Sequence, residues 1–488
     1  MAISNAEFQT WLRKADAKRC VLLEAESWYR GASAMRYASD RGFTSGPTDT
    51  PQNTFYPPRI RSVPFFSITM GEQLTGRTTP ASGQIVMDNT DGALDTMLLH
   101  AWDGRPFTLY IGDPTWARSD FRKMLSGVTE DISVPSRDRI ALVIRDLRKT
   151  LDKPLTSTKI AAGPNIGKYY PVTFGQVYNV TPVLLDESTK QYAVHDGAIE
   201  DITDVREDGV TVTYTKDAAT GTFTLASAAT GTITCDVKGD KASSTYLNTT
   251  SDLIERIAKN RAGLVTADIH AASFAVLDGL QTGVVGLYAQ DGSMSCLEAL
   301  DALALGAGCW YGFDRSGLLR VGRVDEPAVP AANIGADDMY IGGFTLLRRM
   351  IPRATVRLGY KRRWTVQSTL DAAVTGDTRV MYSTPYDVKT ATNAVPQHLL
   401  ADAMDELGGT LFVDGTVTQT ECTRRAALAS KIRYLFSINV AIGGVNAQLG
   451  DTIRLTHPRY GFASGQNAVV AGIEEDPTSR RTRLTLWR

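Results

Sequence analysis

Runs of alternating apolar and polar residues recur through the first 155 positions of the chain and predict short β-strands. Turn-forming pairs such as Asp91-Gly92 and Asp103-Gly104 separate several of these runs. Short strands at this spacing favour an antiparallel barrel or sandwich over strand–helix–strand units. Ahead of them, apolar residues at helical spacing within residues 4–18 predict a short amphipathic helix. The chain therefore begins with a predicted β-rich domain.

Residues 169–237 continue the strand pattern, after which the spacing becomes helical. The segments 252–255 and 295–298 both match the capping box that begins a helix, and Gly306 is placed to end the second helix. Two apolar runs on either side of residues 314–317 predict a hairpin with a turn of four residues. These elements together predict a small α+β module.

The last part of the chain combines helical segments with closely spaced strands. The pattern predicts one helix that begins at Pro396 and another over residues 424–434. The predicted strands that follow are 436–442, 449–455, 468–474 and 481–487. This arrangement predicts a second antiparallel barrel or sandwich.

With 488 residues, the chain exceeds a single hydrophobic core and is expected to form several domains. The fold class is predicted to be mainly β with an α+β insertion. The predicted units are an N-terminal β-barrel domain with its short helix over 1–155, a β-rich domain over 156–250, a small α+β module over 251–330, and a second β-barrel domain with C-terminal helix and strands over 331–488.

Composition and charge argue against several classes of protein. Lys plus Arg (52) and Asp plus Glu (53) nearly cancel, so no strong field favours nucleic acid or an anionic membrane. Five scattered cysteines without a C-x-x-C pair indicate reduced thiols rather than a disulfide framework or a zinc ribbon. The first residues lack the pattern of a signal peptide, and no apolar run approaches about 18 residues. We therefore expect a protein made in a cytosol with no membrane span.

Candidate chemistry is sparse, because no catalytic or nucleotide-binding motif is present. Paired acids indicate solvated turns, and short basic clusters indicate solvated faces or salt-bridge surfaces between subunits. The acid pairs are Asp201/Asp204, Asp337/Asp338 and Glu474/Glu475/Asp476; the basic clusters are Arg348-Arg349, Lys361-Arg362-Arg363, Arg424-Arg425 and Arg480-Arg481. The histidines are dispersed, at His100, His195, His270, His398 and His457. We expect no catalytic, cofactor-binding or metal-binding residues, no cofactor and no enzymatic activity.

Two stretches carry more specific patterns. Residues 168–186 contain a Pro-x-x-Phe-Gly strand, followed by Tyr-x-Val-x-Asp-Gly-x-Ile over 192–199 and Val-x-x-x-Gly-Val over 205–210. Residues 423–486 contain a helix, a strand, Leu-Gly-Asp-Thr-Ile over 449–453 and final strands. Both stretches resemble the baseplate or tail-tip hub proteins of long-tailed bacteriophages.

The resemblance implies a structural virion protein with two β-barrel domains of the tail-tube and hub type. In that family a homotrimer forms a ring that joins the hexameric tail tube to a trimeric central fibre or spike and surrounds the channel for DNA. The implied partners are further copies of the chain, the distal tail and tube proteins, the central fibre or spike, the tape-measure protein and DNA in transit. The implied location is the phage tail tip, with assembly in the cytoplasm of the bacterial host.

Other functions remain open at this stage. A hexameric distal tail protein would have one barrel and a peripheral domain. A receptor-binding or carbohydrate-binding tail module would use exposed aromatic residues to stack on sugars. The candidate aromatic residues are Trp28-Tyr29, Trp102, Trp116 and Tyr169-Tyr170. A tail-associated cell-wall hydrolase would need a pair of carboxylates in a cleft, one of them with a raised pKa.

Overall fold

The computed structural model describes residues 3–14, 16–64, 66–71, 74–80, 83–395, 403–406, 409–441, 447–476 and 481–488. The chain is mainly β, with 43% of its residues in strands and 18% in helices, and it contains two half-barrel sheets. The predicted fold class is confirmed.

The N-terminal region is built on a seven-stranded antiparallel sheet. Helix α1, Asn5–Arg13, precedes it as predicted and begins with a capping box between Ser4 and Glu7. The strands of the region are β1 Cys20–Tyr29, β2 Ala32–Ser39, β3 Phe43–Thr44, β4 Phe55–Tyr56, β5 Ile60–Ser62, β6 Phe66–Thr69, β7 Gly76–Arg77, β8 Thr79–Pro80, β9 Gln84–Asp88, β10 Pro106–Gly112, β11 Arg122–Ser136 and β12 Arg139–Arg145. The sheet order is β2-β1-β10-β11-β12-β9-β5, and α1 packs Phe8 and Trp11 into its core.

A second β region follows in two sheets. Its strands are β13 Val172–Val180, β14 Val183–Asp186, β15 Gln191–Ala193, β16 Ile199–Glu207, β17 Val210–Thr211, β18 Tyr214–Asp217, β19 Thr222–Leu225, β20 Ile233–Ala242, β21 Thr245–Tyr246 and β22 Gly286–Ala289. One sheet has the order β17-β16-β20-β13-β22, and the other has the order β14-β15-β19-β18. Gly175, in the Pro-x-x-Phe-Gly motif, has φ +62°, and a Cβ there would lie 2.0 Å from the Val285 carbonyl oxygen. The motif glycine is therefore required by the close pairing of β13 with β22.

The α+β module contains α2 Thr250–Asn260, α3 Ala271–Leu280, α4 Cys296–Ala307 and the hairpin β23 Cys309–Phe313 and β24 Leu319–Arg323. The capping box at Ser295 and the hairpin are confirmed. The predicted start of α2 is wrong, because Thr249 caps that helix by accepting a hydrogen bond from the Asp252 N–H. The predicted end of α4 is also wrong, because the left-handed residue that ends it is Gly308, with φ +69°.

The C-terminal region is built on an eight-stranded sheet. Its elements are β25 Ala332–Ile334, β26 Met339–Met350, β27 Thr355–Tyr360, α5 Gly376–Ser383, β28 Asp387–Thr392, β29 Ala403–Glu406, α6 Gly415–Ala429, β30 Arg433–Ala441, β31 Thr452–Leu455, β32 Gln466–Asp476 and β33 Arg481–Trp487. The main sheet has the order β25-β31-β32-β33-β30-β26, with β6 and β8 attached at β32. The four predicted C-terminal strands are present.

Both helices predicted in this region need correction. The helix predicted over 424–434 is α6, which begins earlier because the Asp414 carboxylate caps the N–H groups of Thr416 and Val417. It also ends earlier, at Ala429, and Arg433 and Tyr434 belong to β30. The helix predicted from Pro396 is wrong over 403–406, which form β29 beside β27. The rest of that predicted helix lies outside the described residues.

The regions are joined by a short N-terminal segment and by one hairpin tip. Strand β6 pairs with β32 of the C-terminal sheet, and β7 pairs with β23 of the module. At the hairpin tip, the Arg315 guanidinium donates to the Glu475 carboxylate at 2.9 Å. The backbone carbonyl of Arg315 accepts from the Ser126 N–H at 2.9 Å. The predicted first domain thus contributes strands to two other regions, and its boundary at 155 stays a prediction.

Candidate assembly surface

A buried charged cluster around His195 joins the second β region to α2. The Nδ1 atom of His195 accepts a hydrogen bond from the Thr173 N–H at 3.0 Å, so Nε2 carries the proton of a neutral ring. Nε2 lies 3.4 Å from a carboxylate oxygen of both Asp196 and Asp240. Arg261 and Arg256, each 2.6 Å from one of these carboxylates, balance their charge. The two carboxylates therefore have their charge partners within the cluster, which stabilises the junction between the second β region and α2.

This cluster predicts a local loss of stability in acid. Burial alone would raise the pKa of the Asp240 carboxyl, but hydrogen bonds from His195 and Arg256, together with the charge of Arg256, lower it to about 2. Because the pKa of Asp240 is lower in the folded protein, its ionised carboxylate contributes about 2 kcal/mol to the free energy of unfolding. This contribution is complete above the pKa in the unfolded chain, about 4, and is lost as the pH falls towards 2. Hydrogen exchange in β20 and α2, measured from neutral pH to pH 2, should show this loss.

Asp240→Asn and Asp337→Asn provide the comparison for that measurement. Asp240→Asn should destabilise the junction at neutral pH and flatten the acid part of the exchange profile. Asp337→Asn, on an exposed turn, should keep the wild-type profile. Parallel acid profiles for the wild type and Asp240→Asn would contradict the assignment to this carboxylate.

A second buried network holds α6 against the end of α4. The Glu421 carboxylate, with a side chain 2% exposed, accepts from Arg424 at 2.6 Å and from Arg425 at 2.7 Å. Arg425 also donates to the Gly306 carbonyl at 2.7 Å, and Gln281 donates to the Ala307 carbonyl at 2.7 Å. The carbonyl groups at the end of α4 are thus satisfied by side chains from α3 and α6.

Two of the acid groups singled out in the sequence, Asp201/Asp204 and Glu474/Glu475, lie beside basic partners. Asp201 pairs with Lys216 and Asp204 with Arg206, each at 2.5 Å. Glu475 is buried beside Arg315, so the interpretation of that acid as part of a solvated turn is wrong. Over the part of the chain that the structure describes, no group of three or more His, Cys, Asp or Glu residues is placed to hold a metal ion.

The aromatic residues considered for sugar stacking do not form a common surface. Trp102 is 2% exposed, and Trp116 packs 4.6 Å from Trp11 in ring-centroid distance. Tyr169 and Tyr170 are half-buried in the connector before β13. Trp28, at the end of β1, is 41% exposed and has the Arg105 guanidinium 5.2 Å from its ring centroid. Stacking of a sugar on a row of these rings is therefore not supported.

A row of exposed apolar side chains follows strand β26. Among the described strands, β26 pairs with β30 alone and forms one edge of the C-terminal sheet. Its side chains include Ile341, at 107% exposure, and Leu347, at 56%, and the apolar run continues to Ile351, at 60%. Single exposed apolar residues are common, but a row of them on a long edge strand is typical of an interface.

The N-terminal sheet has a comparable edge at β2. Its exposed Met35 and the nearby Phe55, 44% and 58% exposed, border a cavity of about 240 Å³. On this edge, the described residues pair with β2 only through an isolated β-bridge between Ser39 and Pro58. The opposite ends of the two sheets finish in β5 and β25, which have three residues each, and short edge strands resist further pairing. The long edges β2 and β26 are therefore the candidate assembly surface.

Sequence reasoning did not locate this surface. The run from Tyr340 to Ile351 contains enough apolar residues to predict a buried strand. Whether such a strand is buried or exposed depends on the segments that pack against it. Two basic clusters, Arg348-Arg349 and Arg424-Arg425, are brought to one cleft although 75 positions separate them in the chain.

Comparisons with known proteins add distant likenesses. The chain matches no protein-family model and no curated protein. It is similar to a tail protein from Neisseria meningitidis MC58, at 10% identity over 96% of this chain and 97% of that chain, with TM-score 0.40. It is similar to the 43 kDa tail protein of prophage MuSo2 from Shewanella oneidensis (11% identity, 96% and 95% covered, TM-score 0.39). It is also similar to a chain in the virion of a native gene transfer agent particle (14% identity, 70% and 91% covered, TM-score 0.42).

At these identities and scores the likeness does not assign a family or a function. The described helices include none that is both long and apolar enough to cross a membrane.

Proposed function

We propose that this chain is a structural tail protein of a long-tailed bacteriophage that forms the baseplate or tail-tip hub. Support comes from the resemblance of residues 168–186 and 423–486 to hub proteins, and from a fold with two half-barrel sheets. In this proposal the copies surround a channel for DNA and join the hexameric tail tube to a trimeric central fibre or spike.

The observation that carries the proposal is the pair of long edges, β2 on one sheet and β26 on the other. A ring requires two different surfaces on each subunit, so that the second surface of one copy meets the first surface of the next. Pairing β26 with β2 of a neighbouring copy would satisfy the backbone groups of both edges and cover Ile341, Leu347 and Met35. A closed ring leaves neither edge exposed.

The further parts of the proposal follow from the position of such a ring. Its partners would be the distal tail and tube proteins, the tape-measure protein and the central fibre or spike, with transient passage of DNA. The protein would act by binding and not by catalysis, and it would be assembled in the cytoplasm of the bacterial host before it resides at the tail tip.

The double substitution Ile341→Asp and Leu347→Asp tests the ring. Two buried carboxylates at a strand-pairing interface should raise the dissociation constant of the assembly at least about 100-fold, the size of effect produced at interface hot spots. Sedimentation velocity across a concentration series should show rings of the wild-type chain and monomers of the variant. Val329→Asp is the control, because Val329 is 88% exposed but lies before β25, away from both edges.

The copy number separates the hub from its structural alternative. In a cryo-electron microscopy reconstruction of the tail tip, three copies around the axis would support the hub, and six copies would support the distal tail ring. A wild-type chain that stays monomeric at every concentration and lies off the tail axis would contradict both. A double variant that assembles like the wild type would exclude β26 as the interface.

A further inference from the structure

A cleft of about 660 Å³ lies between the C-terminal end of β26 and the C-terminal half of α6. Its volume is in the range of ligand-binding pockets, about 300–1,000 Å³. Of its sixteen lining residues in the described part of the chain, seven are Arg or Lys and none is acidic. Arg348, Arg349 and Arg353 come from β26 and the segment after it, Lys431 comes from the link between α6 and β30, and Arg433 is the first residue of β30.

Lys431 and Arg433 share one acidic partner, Glu326, whose side chain is 45% exposed. Glu326 accepts from Arg433 and, at 2.8 Å, from Lys431. The Arg433 side chain is 8% exposed and lies 4.5 Å from the ring centroid of Trp487, whereas the Lys431 side chain is 60% exposed. Lys431 therefore presents an ammonium group to solvent beside Glu326, where an anionic ligand can reach it.

On the β26 side of the cleft, Arg349 is exposed, and the described residues give its guanidinium no hydrogen bond or ion pair. The backbone of Arg349 is fixed by its pairing with Tyr434 in β30. An arginine in this position can bind a carboxylate through two parallel N–H groups. The apolar part of the lining includes Leu74, Met350 and Leu428.

We propose that this cleft binds an acidic segment of a partner protein that also carries a large apolar side chain. Carboxylates of the segment would bind Arg349 and Lys431, and the apolar side chain would cover Met350 and Leu428. Charge complementarity supports this occupant, because the described lining has seven cations and no acid, and the acids behind it that form ion pairs with these cations include Asp325, Glu326 and Glu421. The proposal does not depend on ring formation, since the cleft is contained within one copy.

A protein segment fits the cleft better than nucleic acid does. Single-stranded nucleic acid binds through exposed aromatic faces along a basic groove. Here the aromatic residue, Trp487, is 4% exposed and has Arg433 over its ring. The apolar lining between the cations offers nothing to a phosphate backbone, whereas it would bury an aliphatic or aromatic side chain of a peptide.

Fluorescence anisotropy with a short labelled peptide of alternating glutamate and leucine tests the proposal. The full chain should bind this peptide at low ionic strength and release it at high ionic strength. The double substitution Arg349→Glu and Lys431→Glu should weaken binding at least about tenfold, the effect of losing charged hydrogen bonds. Arg137→Glu, in the exposed turn between β11 and β12, is the matched control and should bind like the wild type.

Two further probes test which chemical features of the ligand the cleft recognises. A peptide of alternating glutamate and serine should bind more weakly than the glutamate–leucine peptide if the apolar lining takes part. No binding of either peptide, or binding that Arg349→Glu and Lys431→Glu leaves unchanged, would overturn the proposal. Tighter, cleft-dependent binding of single-stranded oligothymidylate would overturn it in favour of a nucleic-acid site. The same titration on the Ile341→Asp and Leu347→Asp variant separates this result from ring formation.

Discussion

Replacing Glu421 with alanine is expected to destabilise the junction of α6 with α4 by about 3–5 kcal/mol, the cost of removing one partner from a buried ion pair. The Glu421 carboxylate is 2% exposed and lies 2.7 Å from Arg425, whose side chain is 9% exposed. Without the carboxylate, the buried guanidinium keeps its charge but loses this counter-ion. Arg424 and Gln281, which also donate to Glu421, would lose an acceptor at the same time.

Hydrogen exchange is the suitable measurement, because a chain with several domains does not unfold in one step. Glu421→Ala should speed exchange in α6 and in the last turn of α4. Thr423→Ala is the control on the same helix, because Thr423 is exposed, and it should change stability by less than about 0.5 kcal/mol. Unchanged protection of α6 in Glu421→Ala would show that the network contributes little to the junction.

Replacing Phe462 with alanine is expected to cost about 3–5 kcal/mol in the C-terminal sheet, as for other buried aromatic residues. Phe462 is 0% exposed, and its ring stands edge-on to Phe344 and Phe436, with centroid distances of 5.4 and 5.1 Å. Phe344 belongs to β26 and Phe436 to β30, so the loop that carries Phe462 fastens the edge strand to the sheet. A cavity at this position would loosen β26 directly.

Thermal unfolding and hydrogen exchange of β26 should report this loss. Tyr460→Ala is the matched control, because Tyr460 contacts the same two rings, at 5.1 and 5.9 Å, but is 44% exposed. It should cost about 1 kcal/mol, since less surface leaves water when Tyr460 packs. If β26 is the assembly edge, Phe462→Ala should also reduce ring yield in sedimentation. Equal effects of the two substitutions would contradict the role given to the buried ring.

Local signals explain the elements that the sequence predicted well. The Ser295 capping box is satisfied by atoms three residues apart, and the β23–β24 hairpin turns at Gly317, with φ +79°. The final strand, 481–487, has the alternating pattern of a sheet with one buried face. In these cases the side chains that determine the structure lie within a few positions of it.

The predictions of secondary structure and burial were wrong where residues distant in the chain determine the outcome. Residues 403–406 have helical apolar spacing, but β27 offers them a ladder of backbone hydrogen bonds, and they form a strand. Tertiary pairing of this kind routinely overrides the small differences in intrinsic propensity. Glu475 stands in an acidic run and was expected in solvent, yet Arg315, 160 positions away, buries it at the junction of three regions.

The mainly β class, the α+β module between two β regions, and the local caps and turns were predictable from the amino-acid sequence, because they depend on periodicity and short-range hydrogen bonds. The pairing of β6 with β32, the exposed edge at β26 and the meeting of two arginine pairs in one cleft depend on contacts between distant parts of the chain. Strand pairing and burial depend on which distant segments occupy each side of an element, and the residues of that element do not encode this.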